Sequence, residues 1–234
     1  MSETQTEFRS SLPVSPDHFV GRAGDLRAAL AQLQNGNERL LTLTGPGGVG
    51  KTRFALELAR RLEPRFVDGA TWVDCADLKT PLEGVRRTLE GLAEQAGVNP
   101  VRQLEQVLRD QERLIVLDNL EQIRGMGKLL ESLLGVCPTV TILATSRSPL
   151  RSPFERRYPL LPLECPPCEA QTPPNVIFQT EAAQLFLERA VRVEPHFSPS
   201  EQEAQLLAHL CALLDGLPLA LELAASQMGN YSLR

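Results

Sequence analysis

Positions 45–52 read GPGGVGKT, matching every fixed position of the phosphate-binding loop G-x-x-x-x-G-K-[ST]. The motif constrains the fold, because such a loop works only between a buried strand and a helix. That context is present. Residues 40–44 (LLTLT) predict a short buried strand, and 51–62 (KTRFALELARRL) predict an amphipathic helix with Phe54, Leu56, Ala59 and Leu62 apolar. Gly45, Gly47, Gly48 and Gly50 leave backbone N–H groups free to curl around a phosphate, and the helix N-terminus adds positive potential. Lys51 is expected to reach the β- and γ-phosphates and the Thr52 hydroxyl to ligate Mg²⁺, with Val49 and Arg53 completing the nucleotide contacts of the loop. A chance match somewhere in the chain has a probability of about 1%. Lys51, Lys79 and Lys128 are the only lysines, which makes chance rarer still. The loop reads as a nucleoside triphosphate site.

A chain of 234 residues, 42% of them hydrophobic, suits one large or two modest globular domains. Its net charge of −5 and the lack of a basic face argue against direct nucleic-acid contact. The basic run at 147–157 (RSPLRSPFERR) reads as a solvated loop. No apolar leader opens the sequence. The most apolar stretch, 211–225, is interrupted by Asp215, Gly216 and Pro218, so neither targeting nor membrane contact is expected, and a cytoplasmic location is. Among five cysteines, Cys75, Cys137 and Cys211 sit in apolar contexts as buried thiols. Cys165 and Cys168 form a lone CPPC in a proline-rich stretch, without the second pair a zinc site needs.

Along the chain, residues 1–16 read as a flexible lead and 19–33 as a turn followed by a helix. Further strands are expected at 71–74, 113–118, 139–144 and 158–163, with helical spacing at 81–96, 101–110 and around 121–135. RLIVLD (113–118) is a continuous apolar run of the kind buried on both faces of a parallel sheet. The alternation argues for a doubly wound α/β domain of P-loop type over residues 17–164. A proline-rich linker at 165–179 and a helical subdomain at 180–234 follow, with Ser198 or Ser200 capping a helix and no internal repeat.

Asp118 ends its strand where a P-loop protein places the carboxylate that holds Mg²⁺. Arg147 follows another buried strand, and ligands of open α/β sheets bind beyond the carboxyl ends of strands, so this cation is a candidate sensor of the γ-phosphate. No Asn-Lys-x-Asp clamp for guanine accompanies Lys79 or Lys128, so adenine is expected.

Taken in order, FVGR (19–22), GPGGVGKT (45–52), LIVLDN (114–119), ATSR (144–147) and GLPLAL (216–221) resemble the STAND class of P-loop ATPases. More narrowly, they resemble the NB-ARC-like nucleotide-binding regions of bacterial transcriptional regulators, in the AP-ATPase branch, over residues 17–228. The resemblance implies that Val20, Gly21 and Arg22 line the adenine and ribose side and that Pro218 packs on adenine. Pro218 also suits the first position of a helix. The family continues into a winged-helix lid and sensor repeats, so the chain is expected to be a truncated or excised region. Many relatives carry a second acid after the strand-ending Asp, where this chain has Asn119. An amide is no general base, and Glu121 stands two residues on.

The resulting expectation is an ATP/ADP-binding switch module with slow hydrolysis. It would be closed with ADP and would self-associate with ATP. A small-molecule kinase and a non-hydrolysing, ADP-holding module are the alternatives.

Overall fold

The computed structural model describes residues 11–15, 17–34, 38–92, 94–168 and 172–229. They form two compact units. One holds the described part of the first 16 residues, Asp25–Gly45 and Lys51–Pro159; the other holds Asp17–Gly24, Pro46–Gly50 and the described part of Leu160–Arg234.

The first unit is built on five parallel strands, β1 (Leu40–Thr44), β2 (Ala70–Asp74), β3 (Leu114–Asp118), β4 (Thr141–Ser146) and β5 (Glu155–Pro159), in the order β2-β3-β4-β1-β5. Central strands are apolar on both faces because both are covered. On one face Leu40, Val73, Ile115, Leu117, Ile142 and Ala144 share a core with helices α3 (Pro81–Gly91), α4 (Pro100–Leu108) and α5 (Met126–Val136). On the other, α2 (Lys51–Leu62) packs on β1, β3 and β4, burying Phe54, Ala55, Leu58, Ala59 and Leu62. Helix α1 (Ala23–Gln34) buries Leu26 and Ala29.

Three local differences from the sequence expectations have physical causes. β5 starts at Glu155, inside the basic run expected to be a loop. It is an edge strand paired only with β1, so Arg156 and Arg157 stay in solvent and alternation gives no apolar signature. Ser11 belongs to the stretch expected as a flexible lead, yet its N–H donates to Ala70 O at 3.2 Å and its Oγ accepts from Trp72 N–H at 2.9 Å, covering the open edge of β2. The segment expected to continue as a helix from 121 instead breaks: a 3₁₀ turn at Leu120–Gln122 precedes α5, whose N-cap Gly125 has φ 86°.

The second unit is helical, with α6 (Pro174–Gln179), α7 (Glu181–Val193), α8 (Glu201–Leu213) and α9 (Pro218–Ala225) around Phe186, Leu185, Leu207, Cys211 and Leu221. Helix α6 lies in the stretch expected as linker. Pro174 starts it, and Ile177 is fully buried with Ala204 and Ala208 of α8. Ser200, rather than Ser198, caps α8 in a reciprocal box with Glu203. Cys75, Cys137 and Cys211 are buried free thiols, whereas Cys168 is exposed.

Candidate nucleotide site

In the first unit, the chemistry collects where β1, β3 and β4 end and α2 begins. Lys51 opens α2 and is only 8% exposed. Its Nζ donates to Gly45 O at 2.9 Å, and burial pushes its pKa down, opposed most by the nearby Glu121 carboxylate. A buried ammonium at the N-terminus of α2 is suited to an anion. Thr52 Oγ1 donates to Asp118 Oδ1 at 3.0 Å.

Asp118 is 2% exposed, and desolvation raises its pKa against the hydrogen bonds it receives from Thr145 and Thr52. Thr145 Oγ1 lies 2.5 Å from Asp118 Oδ1 and accepts from the Asn119 N–H at 2.9 Å. A fully buried hydroxyl on β4 thus fixes both the carboxylate and the turn after it. Sequence reasoning passed over Thr145, which reads as an ordinary strand residue. The arrangement suits Mg²⁺, since a hydroxyl and a carboxylate oxygen already converge and both are hard donors. Among the described residues no cluster of three or more His, Cys, Asp or Glu could hold a metal. The remaining ligands would be phosphate oxygens and water. Arg147, beyond β4, has a 67% exposed side chain and pairs through Nε with Glu121 Oε1 at 3.1 Å. Arg53 turns its guanidinium to Ser15 Oγ at 2.6 Å, leaving its backbone as the part available to a ligand in the expected role.

In the second unit, loop residues 46–50 are held by the segments expected on the base side. Gly48 has φ 78°, and a Cβ there would stand 3.2 Å from Leu219 Cβ. Its carbonyl accepts from Leu219 N–H at 3.2 Å. A Cβ on Gly50 would stand 3.7 Å from Pro218 Cγ, so the proline ring borders the loop. Pro218 is also the first residue of α9. Arg22 is 5% exposed and donates from Nη2 to Val49 O at 2.9 Å, while Val20 packs against the helical core. Gly21 and Arg22 are both left-handed, at φ 70° and 57°. Glu181 at the start of α7 explains the bend, accepting the Arg22 N–H at 2.5 Å on Oε1. Glu181 was not legible from sequence, because a first-turn acid on a helix is ordinary. Gly47 lies on the exposed part of the loop. The Cys165 and Cys168 thiols donate to Cys211 O and Ala208 O at 3.3 and 3.5 Å.

A five-stranded parallel sheet with a glycine loop between β1 and α2, and an Asp at the end of β3, defines a P-loop nucleoside triphosphatase fold. Residues 34–148 match the AAA domain family, one of P-loop ATPases. It is 36% identical over 210 residues to a Mycobacterium tuberculosis protein named as an HTH-type transcriptional regulator, covering 88% of this chain and 22% of that one. It is 29% identical over 233 residues to the regulatory protein AfsR of Streptomyces griseus, covering 94% of this chain and 22% of AfsR. The chain therefore spans about a fifth of the length of these regulators. A Pyrococcus horikoshii STAND protein with a tetratricopeptide repeat sensor has a similar fold, with TM-score 0.51 and 17% identity over 90% of this chain and 30% of its own. The likeness expected from FVGR through GLPLAL is thus borne out: this is a P-loop ATPase module of the kind found in regulator-like proteins. Among the described residues, no helix is long and apolar enough to cross a membrane.

Proposed function

We propose that the chain is the ATP/ADP-binding switch of a signalling regulator. The observation that supports this reading is the Thr52–Asp118 hydrogen bond next to buried Lys51, a pair of hard oxygen donors suited to a metal ion beside a cation suited to phosphate. Loop N–H groups and Lys51 bind the phosphates, and Thr52 and Asp118 hold Mg²⁺. Mg²⁺ there would neutralise charge on the β- and γ-phosphates. Pro218 packs on adenine, with Val20, Gly21 and Arg22 lining the adenine and ribose side. Arg147 reads the γ-phosphate. ADP favours a monomeric state and ATP a self-associating one, so the two nucleotides must differ in affinity for the two states. Hydrolysis resets the switch slowly.

The test is to denature freshly purified protein, identify the released nucleotide by chromatography, and compare oligomeric state after loading with ADP or a non-hydrolysable ATP analogue. The reading expects an adenine nucleotide and a larger species with the ATP analogue. Protein that neither carries nor binds adenine nucleotide contradicts it.

A further inference from the structure

No group assigned so far takes a proton from water. Asn119 stands next to Asp118, but its Nδ2 donates to Asp118 Oδ2 at 3.1 Å and to Asp74 Oδ1 at 3.4 Å. An amide cannot serve as a base near neutral pH. Its backbone is left-handed, at φ 64°, a conformation asparagine tolerates better than most residues. That bend starts the 3₁₀ turn at Leu120–Gln122, which buries Leu120 to 1% exposure and leaves the Glu121 side chain only 17% exposed.

The two oxygens of Glu121 differ. Oε1 accepts from Arg147 Nε at 3.1 Å, whereas Oε2 is shut off from solvent and has no hydrogen-bond partner. A buried carboxylate oxygen without a donor is costly, and an ion pair with an exposed arginine is weak compensation. Glu121 also exerts a larger charge influence on Lys51 than Asp118 does. Its carboxylate thus lies in the turn that follows Asp118, paired with Arg147 beyond β4, with one oxygen uncommitted.

We propose that Glu121 is the catalytic carboxylate of ATP hydrolysis and that Arg147 is its positioning residue; the proposal rests on the nucleotide reading above. A water oxygen forms a bond to the γ-phosphorus, and the bond from that phosphorus to the β,γ-bridging oxygen breaks. The bridging electron pair leaves with ADP. The water proton passes to the Glu121 carboxylate and is later released to phosphate or solvent. The acid is thus displaced by two residues from the position next to Asp118, which Asn119 occupies as a turn former.

The test compares MgATP affinity and single-turnover hydrolysis in the 234-residue chain and its variants. Glu121→Gln should keep the dissociation constant within about threefold while the rate falls roughly 10²–10⁴-fold, the range for loss of a general base. Added formate should recover part of the rate of Glu121→Ala, a readout that a merely structural glutamate would not move. Arg147→Gln should lower the rate by up to roughly 10²-fold through misplacement, with partial recovery by free guanidinium ion. A parental rate in Glu121→Gln, a Glu121→Ala rate indifferent to formate, or no hydrolysis by the unsubstituted chain would each overturn the proposal while nucleotide binding stood. Failure of the unsubstituted chain to bind MgATP would remove the nucleotide reading itself.

Discussion

Thr52 Oγ1 donates to Asp118 Oδ1 across 3.0 Å, joining the first turn of α2 to the end of β3. Two residues 66 positions apart thus prepare one oxygen-rich point beside Lys51. If that point takes Mg²⁺, Asp118→Asn should remove most of the gain in ATP affinity that Mg²⁺ provides, a loss of about tenfold or more, near 1.4 kcal/mol. Titrations of ATP with Mg²⁺ and with EDTA measure it. The variant should respond little to EDTA, whereas an unchanged Mg²⁺ response would remove Asp118 from the metal site.

Thr145 is fully buried and links Asp118 Oδ1 to the Asn119 N–H. Thr145→Val keeps the shape and deletes both bonds. The folded state should lose roughly 1–3 kcal/mol, the cost of leaving buried polar groups unsatisfied. Urea unfolding measures the change, and a loss below about 0.5 kcal/mol would show that this bridge is not structural.

Pro218 borders Gly50 and also begins α9, so its two roles can be separated. Pro218→Ala should weaken ADP by no more than roughly 1–3 kcal/mol, as expected of one apolar contact, while pyrophosphate binds as before. Equal effects on both ligands would make it only a helix start.

Burial pushes the Cys75 and Cys211 thiols up to about 12 from a usual value of 9.0. Between those values the folded chain holds protons that the unfolded chain has lost, so stability falls as pH rises. Each thiol adds a slope of up to about 1.4 kcal/mol per pH unit in that window. Urea unfolding at about pH 8 and about pH 10.5 should show a shallower decline for Cys75→Ala than for the unsubstituted chain. Equal declines would contradict the assignment.

The central strands were legible because burial on both faces leaves runs such as LIVLD, and the loop because its chemistry demands fixed glycines and a lysine. Strand β5 was shifted and its basic half missed, since ERRYP lies at an edge and exposes its arginines. Helix α6 was hidden by the prolines around it, although one of them starts it. At the site, Lys51, Thr52 and Asp118 could be named from spacing alone. Thr145 and Glu181 could not, because each acts through a contact with a residue far away in sequence, 27 positions from Asp118 and 159 from Arg22.

The most direct test of nucleotide binding at this loop is calorimetric titration of MgATP into the unsubstituted chain and Lys51→Ala. Lys51 is buried and already bonded to Gly45 O, so the loop's strongest cation is in place before a ligand arrives. A charge-assisted hydrogen bond is worth roughly 1.5–3 kcal/mol, so the dissociation constant should rise by about 10- to 150-fold while thermal unfolding still shows a folded protein. An unchanged dissociation constant in the folded variant would contradict the account.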